Sequence, residues 1–458
     1  MNKLISLPND PLFPALADAV DSDTMTAILR DELSGASERN GHELIECIPE
    51  YFRYKPGVSC IIGYRLEISD IGGFTGKTQR VYGRFVDPQQ GRASFEKALK
   101  THKAIPNYGP PITYIKKLGM MLSFFPNDRC LRGLRFALYP DKLKRIAQHN
   151  LRDFLGEHWR IRGRRSQIEI LSYKPERHCV VKCQLGLRNI DTGEKKQMKV
   201  IAKLLRPEKA HKLYDANEQI WELFRSAGRT QIIPRPLAFD PSFSLFFQED
   251  VGGSHPSYQE CSAGIPQELI CQIAGRLRSL HDVVLNGIRR YPPEQELRDL
   301  EESILETAKV LPDEGEGLLE QLHHVCEEFH ILRPRTLQTV HGDFHLEQVM
   351  ITNSGPVILD LDEIRASDPL SDVANFTAHL LKLQMEGICS REEVEKAEQV
   401  FIESYFRKRE IQSLKSAYLW HKKVSLIRLA LSNLKFLRPD WRGKMNSFLN
   451  EVKRLSIR

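Results

Sequence analysis

Two short acidic motifs carry the chemistry in this sequence. Val340-His341-Gly342-Asp343-Phe344-His345-Leu346-Glu347-Gln348 runs from an apolar stretch into a polar loop. Twelve residues beyond Gln348, a second apolar run, Val357-Ile358-Leu359, ends in Asp360-Leu361-Asp362. Phosphoryl transfer to a hydroxyl requires such a set. One carboxylate orients the attacking hydroxyl and accepts its proton, while others hold a divalent cation against the phosphates. Strand ends would hold these side chains firmly, as electrostatic preorganisation demands.

A lysine completes the pattern. Lys203 closes the apolar run Val200-Ile201-Ala202, a place from which a lysine grips nucleotide phosphates. An acidic partner from the next helix would steady it, and Glu218 and Glu222 stand one helical turn apart there. Lys174-Pro175-Glu176-Arg177-His178 joins the two preceding β-rich runs and occupies the place of a phosphate-covering loop. It lacks the glycines that let backbone amides approach a phosphate, so the side chains of Lys174 and Arg177 are the expected contacts. The same five residues also suit an ordinary surface hairpin turn.

The elements that must position these groups follow from periodicity. Ile168–Tyr173, Cys179–Leu187, Met198–Leu205 and Phe243–Gln248 read as strands, with a helix over Glu208–Ser226. Beyond Gly252-Gly253 the pattern turns helical, as in Pro266–His281 and Leu318–Phe329, with strands only at Thr339–Val340 and Val357–Leu361. Leu426–Leu437 reads as a packed helix rather than a membrane anchor. A linking helical stretch lies around Asp141–Gly156, and the basic cluster Arg160–Arg165 reads as a solvated linker.

The first third of the chain echoes the second. Tyr54-Lys55-Pro56 recurs as Tyr173-Lys174-Pro175, and the same offset of 119 residues maps Cys60 on Cys179, Leu66 on Leu185, Lys77 on Lys196 and Pro88 on Pro207. A fixed register over so many positions points to duplication. Arg84 stands where the second copy has Lys203, and the His-Gly-Asp element occurs once, so the first copy is expected to be degenerate. Either it caps the cleft and helps choose the acceptor, or it is a packing or dimerisation module.

The stretch HGDFHLEQ, followed by VILDLDEIRASDPLSDVANF, resembles the catalytic core of the aminoglycoside phosphotransferase and choline kinase superfamily. The resemblance covers roughly residues 165 to 440. It implies an α+β, bilobal protein-kinase-like fold with the duplicated N-lobe-like domain in front: 1–155 as cap, 156–253 as nucleotide-binding N-lobe, 254–458 as helical C-lobe. It implies ATP and Mg2+, with Asp343 as catalytic base among His341 and His345. Gln348, Asp360 and Asp362 are the implied metal set. Glu218 is the implied partner of Lys203, and Glu249 and Val251 belong to the adenine-side hinge Gln248–Val251. Asp372 is the implied brace of the catalytic loop. Gln348 departs from the usual Asn and is similar to the maltokinase-like branch, which also carries an extra cap.

Composition fits this reading. The chain has 458 residues, 28% charged, with 66 basic against 60 acidic and a net charge of +6. That excess suits an anionic small ligand better than nucleic acid. The nine cysteines show no CxxC pair, as expected for free thiols in a reducing compartment. There is no apolar run of the roughly 18 to 20 residues that span a bilayer. A cytoplasmic ATP-dependent kinase of a small-molecule hydroxyl, a sugar or amino sugar, is the expectation. A pseudokinase or nucleotide-binding scaffold is the alternative. Protein phosphorylation is disfavoured because no Asp-Phe-Gly or Ala-Pro-Glu element follows Asp360.

Overall fold

In the run His178–Asn189, Cys179, Val181, Cys183 and Leu185 are buried while the residues between them are half-buried. That period of two belongs to a strand with one covered face. What covers it is the linking segment, whose Leu143, Ile146, Ala147, Leu151 and Leu155 recur at helical spacing and pack into the same core.

The computed structural model describes residues 7–34, 42–70, 75–87, 89–101, 103–162, 166–229, 231–256, 265–330, 332–333, 335–406 and 410–455. Pro88 and half of the arginine cluster (163–165) lie outside them. Contacts divide the chain into two compact units: Met1–His211 with Leu237–Gln248 and Lys435–Pro439, and Lys212–Pro236 with Glu249–Leu434 and Asp440–Arg458.

The first unit holds two sheets. In the first, β1 (His42–Lys55), β2 (Ser59–Asp70), β3 (Thr75–Phe85), β4 (Ile112–Ile115) and β5 (Met120–Phe124) lie in the order β1-β2-β3-β5-β4. The second contains β6 (Trp159–Ile161), β7 (Gln167–Lys174), β8 (His178–Asn189), β9 (Lys195–Leu205), β10 (Pro236–Asp240) and β11 (Leu245–Glu249). Its order is β10-β11-β9-β8-β6, with β7 also on β8, so five of its strands repeat the first sheet's sequence of neighbours.

Register repeats as well. Tyr54 faces Cys60 as Tyr173 faces Cys179, and Arg84 faces Ile61 as Lys203 faces Val180. A buried aspartate ties each turn. Asp10 Oδ2 accepts the Tyr54 hydroxyl (2.7 Å) and the Gly57 N–H (2.8 Å); Asp128 Oδ2 accepts the Tyr173 hydroxyl (2.8 Å) and the Glu176 N–H (2.9 Å). Gly57 and Glu176 both adopt positive φ, +62° and +59°. A left-handed conformation costs a non-glycine residue about 1–2 kcal/mol, so Glu176 is strained where its counterpart is not.

The second unit is mostly helical, with long helices at Gln267–His281, Pro293–Val310, Pro312–Phe329, Leu370–Met385, Arg391–Tyr405, Glu410–Lys435 and Trp441–Arg454. Two small two-stranded sheets interrupt them: β12 (Gln338–Val340) pairs with β15 (Arg365–Ser367), and β13 (Val349–Thr352) forms a hairpin with β14 (Gly355–Ile358). The stretch Leu426–Leu437 packs inward, with Leu426, Ile427, Ala430 and Leu434 buried. Among the described residues no helix is long and apolar enough to cross a membrane.

Several elements differ from expectation. The strand read over Val357–Leu361 stops at Ile358, because Asp360 turns the chain into the left-handed region (φ +56°, ψ 59°). β10 and the helix Pro293–Val310 were not foreseen. β10 is five residues long and begins at the last residue of Pro234-Arg235-Pro236, where a turn reading prevails.

Candidate active site

The loop between β12 and β13 carries Asp343, and its backbone is tied down on every side. Asp372, 1% exposed at the start of the helix Leu370–Met385, accepts the N–H of His341 (2.6 Å) and of Gly342 (2.9 Å). Its third partner is His281 Nε2 at 3.0 Å. Burial would raise the Asp372 pKa. The hydrogen bond and charge of His281, with the Gly342 N–H, outweigh burial and hold the carboxyl below its ordinary value.

Gly342 is required by geometry. Its φ is +86°, and a Cβ there would sit 2.3 Å from the Glu363 carbonyl oxygen. Phe344 is fully buried, stacked on Phe376 at 5.5 Å, and its carbonyl accepts from Asn375 (3.1 Å).

His341 is wholly buried. Its Nε2 lies 2.7 Å from the Leu359 carbonyl, which can only accept, so Nε2 carries the proton. Nδ1 then receives the Asp343 N–H at 3.3 Å. One imidazole thus links the base loop to the residue before Asp360. A second link is the Leu359 N–H donating to the Gln348 carbonyl at 2.8 Å.

Against this fixed frame the Asp343 side chain is 55% exposed. His345 is 7% exposed; its Nε2 lies 3.9 Å from Asp343 Oδ2 and 3.4 Å from Gln348 Nε2. Burial pushes the His345 pKa below its ordinary value against the pull of Asp343, which favours the neutral ring. His345 stacks on His379 with centroids 4.2 Å apart and planes 6° from parallel. Asp343, His345 and His379 bring ligand atoms within 4.8 Å of one another. Imidazole lone pairs in parallel planes do not converge on one ion, so this trio suits ring stacking better than coordination.

Asp360 and Asp362 flank Leu361 at the turn Leu361–Glu363. Asp360, Asp362 and the Gln348 amide each offer oxygen, the donor type that a hard divalent cation takes. Of the expected hinge Gln248–Val251, the residues from Glu249 onward belong to the same unit as these loops. Glu249 N–H donates to the Arg235 carbonyl (2.9 Å), Val251 precedes Gly252-Gly253, and Ser254 pairs with Ile351. A Cβ on Gly253 would meet the Ile351 carbonyl oxygen at 2.1 Å.

In the first unit, Lys203 is 8% exposed near the end of β9. Lys174 is exposed and Arg177 half-buried on the β7–β8 turn. Glu218 is exposed on the helix Pro207–Ser226 and accepts from Tyr214 at 3.2 Å, while Glu222 pairs with Arg225. Sequence reasoning missed His281 and Asn375, which brace the loop from other helices. It also missed His379, two turns after Asp372 and one after Asn375 on their helix, where the periodic spacing was the available signal.

No curated protein matches the chain. The phosphotransferase enzyme family matches residues 189–388, a span that includes Lys203, Asp343, Gln348, Asp360, Asp362 and Asp372. Among solved structures, the choline kinase of Cryptosporidium parvum Iowa II is 12% identical, over 69% of this chain and 94% of that one, with a TM-score of 0.47. A choline/ethanolamine kinase family protein from Mesorhizobium loti is 17% identical over 63% and 87%, TM-score 0.43. Amicoumacin kinase hAmiN, solved with AMP-PNP, Ca2+ and Ami, is 13% identical over 63% and 88%, TM-score 0.45. The matched span of the phosphotransferase enzyme family thus takes in both the braced Asp343 loop and the Asp360 turn.

Proposed function

We propose that the chain transfers the γ-phosphate of ATP to a hydroxyl of a small molecule, a sugar or amino sugar. The observation that carries this is the contrast at Asp343. The loop around it is buried and hydrogen-bonded by Asp372, His341 and Asn375, yet its own carboxylate is left 55% exposed. A base must reach an incoming hydroxyl while its backbone stays fixed.

In this reading Asp343 accepts the hydroxyl proton. His341, sealed from solvent, is a positioning residue, and the neutral His345 sets the Asp343 rotamer from its buried flank. Lys203 holds the phosphates, and Lys174 and Arg177 act from the turn. Glu249 and Val251 present the hinge backbone to the adenine. Asp360, Asp362 and the Gln348 amide oxygen would hold Mg2+, which supplies charge neutralisation on the phosphates when bound. The preference for a sugar follows from Gln348 in place of Asn and from the extra N-terminal sheet. That sheet, residues 1–155, is read as a duplicate of the nucleotide-binding lobe 156–253 because strand order and register repeat.

Calorimetric titration with a non-hydrolysable ATP analogue tests the nucleotide site. Binding that needs Mg2+ and is lost in Asp360→Asn supports the reading. Equal binding with and without Mg2+ would favour a scaffold that binds nucleotide without transferring phosphate.

A further inference from the structure

The turn Lys174–His178 is gripped by the first sheet. Glu176, 3% exposed at the tip, places its carboxylate among three arginines from the first copy and its linker: Arg129 at 2.9 Å, Arg84 at 3.6 Å and Arg53 at 3.9 Å. The main chain is held as firmly. Asp128 accepts the Glu176 N–H, Arg206 donates to the Glu176 carbonyl, and Arg53 donates to the Pro175 carbonyl at 3.4 Å.

Packing alone does not call for this residue. The corresponding turn in the first sheet has Gly57, with the same left-handed backbone and the same aspartate under its N–H. A glycine adopts that conformation without strain, so a glutamate there must act through its side chain. Two of its partners, Arg53 and Arg84, lie on β1 and β3, and Arg84 occupies the register position that Lys203 holds in the second sheet. The position that carries the phosphate lysine in one copy therefore reaches the phosphate-side turn of the other.

We propose that the first sheet is a clamp for the β7–β8 turn, with Glu176, Arg53, Arg84 and Arg129 as positioning residues. They hold a glycine-free turn in one conformation, so that Lys174 and Arg177 meet the nucleotide phosphates as preplaced side chains. The clamp does what the mobile backbone of a glycine-rich loop does elsewhere, at lower ordering cost on binding. The inference rests on the assignment of Lys174 and Arg177 to the phosphate side.

The test uses the full chain carrying Glu176→Gln, Glu176→Gly, Arg84→Met, Arg84→Lys or Arg129→Gln. Hydrogen exchange of the 174–178 amides is read by mass spectrometry, and nucleotide KM and kcat by phosphate transfer. Glu176→Gln and Arg84→Met are each expected to speed exchange about tenfold or more. They should raise the nucleotide KM roughly five- to twentyfold while changing kcat less than about threefold, with Arg84→Lys restoring most of the affinity. Glu176→Gly, which relieves the backbone strain and is the variant surest to fold, should match Glu176→Gln in KM. Arg129→Gln, on a half-exposed arginine, should show a smaller loss in the same direction. Wild-type KM in both Glu176→Gly and Arg84→Met overturns the clamp, as does faster exchange with KM unchanged, which would reduce it to packing. A wild-type chain that binds no nucleotide would defeat the assigned function instead, and unchanged exchange in Glu176→Gln and Arg84→Met would then overturn the clamp by itself.

Discussion

The Asp372 carboxylate lies 2.6 Å from the N–H of His341 and 2.9 Å from that of Gly342, thirty residues earlier in the chain. Two backbone donors on one buried anion fix the direction in which the next residue, Asp343, leaves the loop. Asp372→Asn keeps the shape but loses the charge, and its amide can present only one oxygen to three donors. Stability should fall by about 1–3 kcal/mol, the cost of leaving buried donors unsatisfied. Denaturant melts at neutral pH measure this.

The same carboxyl gives an acid signature. Its folded pKa is depressed, so its contribution is complete above the ordinary carboxylate value and is lost as pH falls through the lower folded value. Wild-type stability should therefore drop more steeply on acidification than that of Asp372→Asn. Parallel slopes for the two proteins would show that Asp372 is not the anion the loop depends on.

A second pH effect comes from the buried network of the second unit. His421 lies 2.9 Å from Glu296 and 3.6 Å from Asp368. Burial pulls its pKa down, but the two carboxylates outweigh burial and carry it from 6.5 to about 9. Being raised in the fold, this group stabilises fully below about 6.5, and the contribution is lost as pH rises through about 9. His421→Gln should cost about 3 kcal/mol at pH 6, as when one partner of a buried pair is removed, and much less above pH 10. Urea melts at the two pH values give the comparison.

Gly342→Ala tests the loop's backbone. Its Cβ would collide with the Glu363 carbonyl at 2.3 Å, in a φ that L-residues avoid. The expected loss is about 2–4 kcal/mol, strain and clash together, with activity falling further because Asp343 is the next residue. An active, fully stable variant would mean that the loop relaxes freely.

How much of this was legible beforehand depended on the range of each interaction. The motif carried Asp343, Asp360 and Asp362 on its face because spacing along one segment encodes them. The constant offset between Tyr54 and Tyr173 announced the two sheets, and strand register follows offset directly. His281 on Asp372 and the arginines on Glu176 were invisible. They join segments 91 residues apart or more, or 47 in the case of Arg129, and no local period reports such contacts. Asp360 was read as a strand end because its neighbours are apolar; its left-handed backbone is set by the turn it must make. Glu176 falls in a stretch that the sequence offers either as a phosphate-covering loop or as a surface hairpin turn, and neither reading anticipates that its own carboxylate is buried among arginines.

The most direct measurement is transfer of labelled γ-phosphate from ATP with Mg2+ to a panel of sugars, aminoglycosides and amino alcohols, comparing wild type with Asp343→Asn. The expected result is one labelled acceptor class with wild type. In the variant kcat should fall about 10²–10⁴-fold, the range for a lost general base, with nucleotide affinity retained. Transfer by Asp343→Asn at the wild-type rate would contradict the assignment of the base, and wild-type chain that binds nucleotide but labels no acceptor would contradict small-molecule phosphorylation itself.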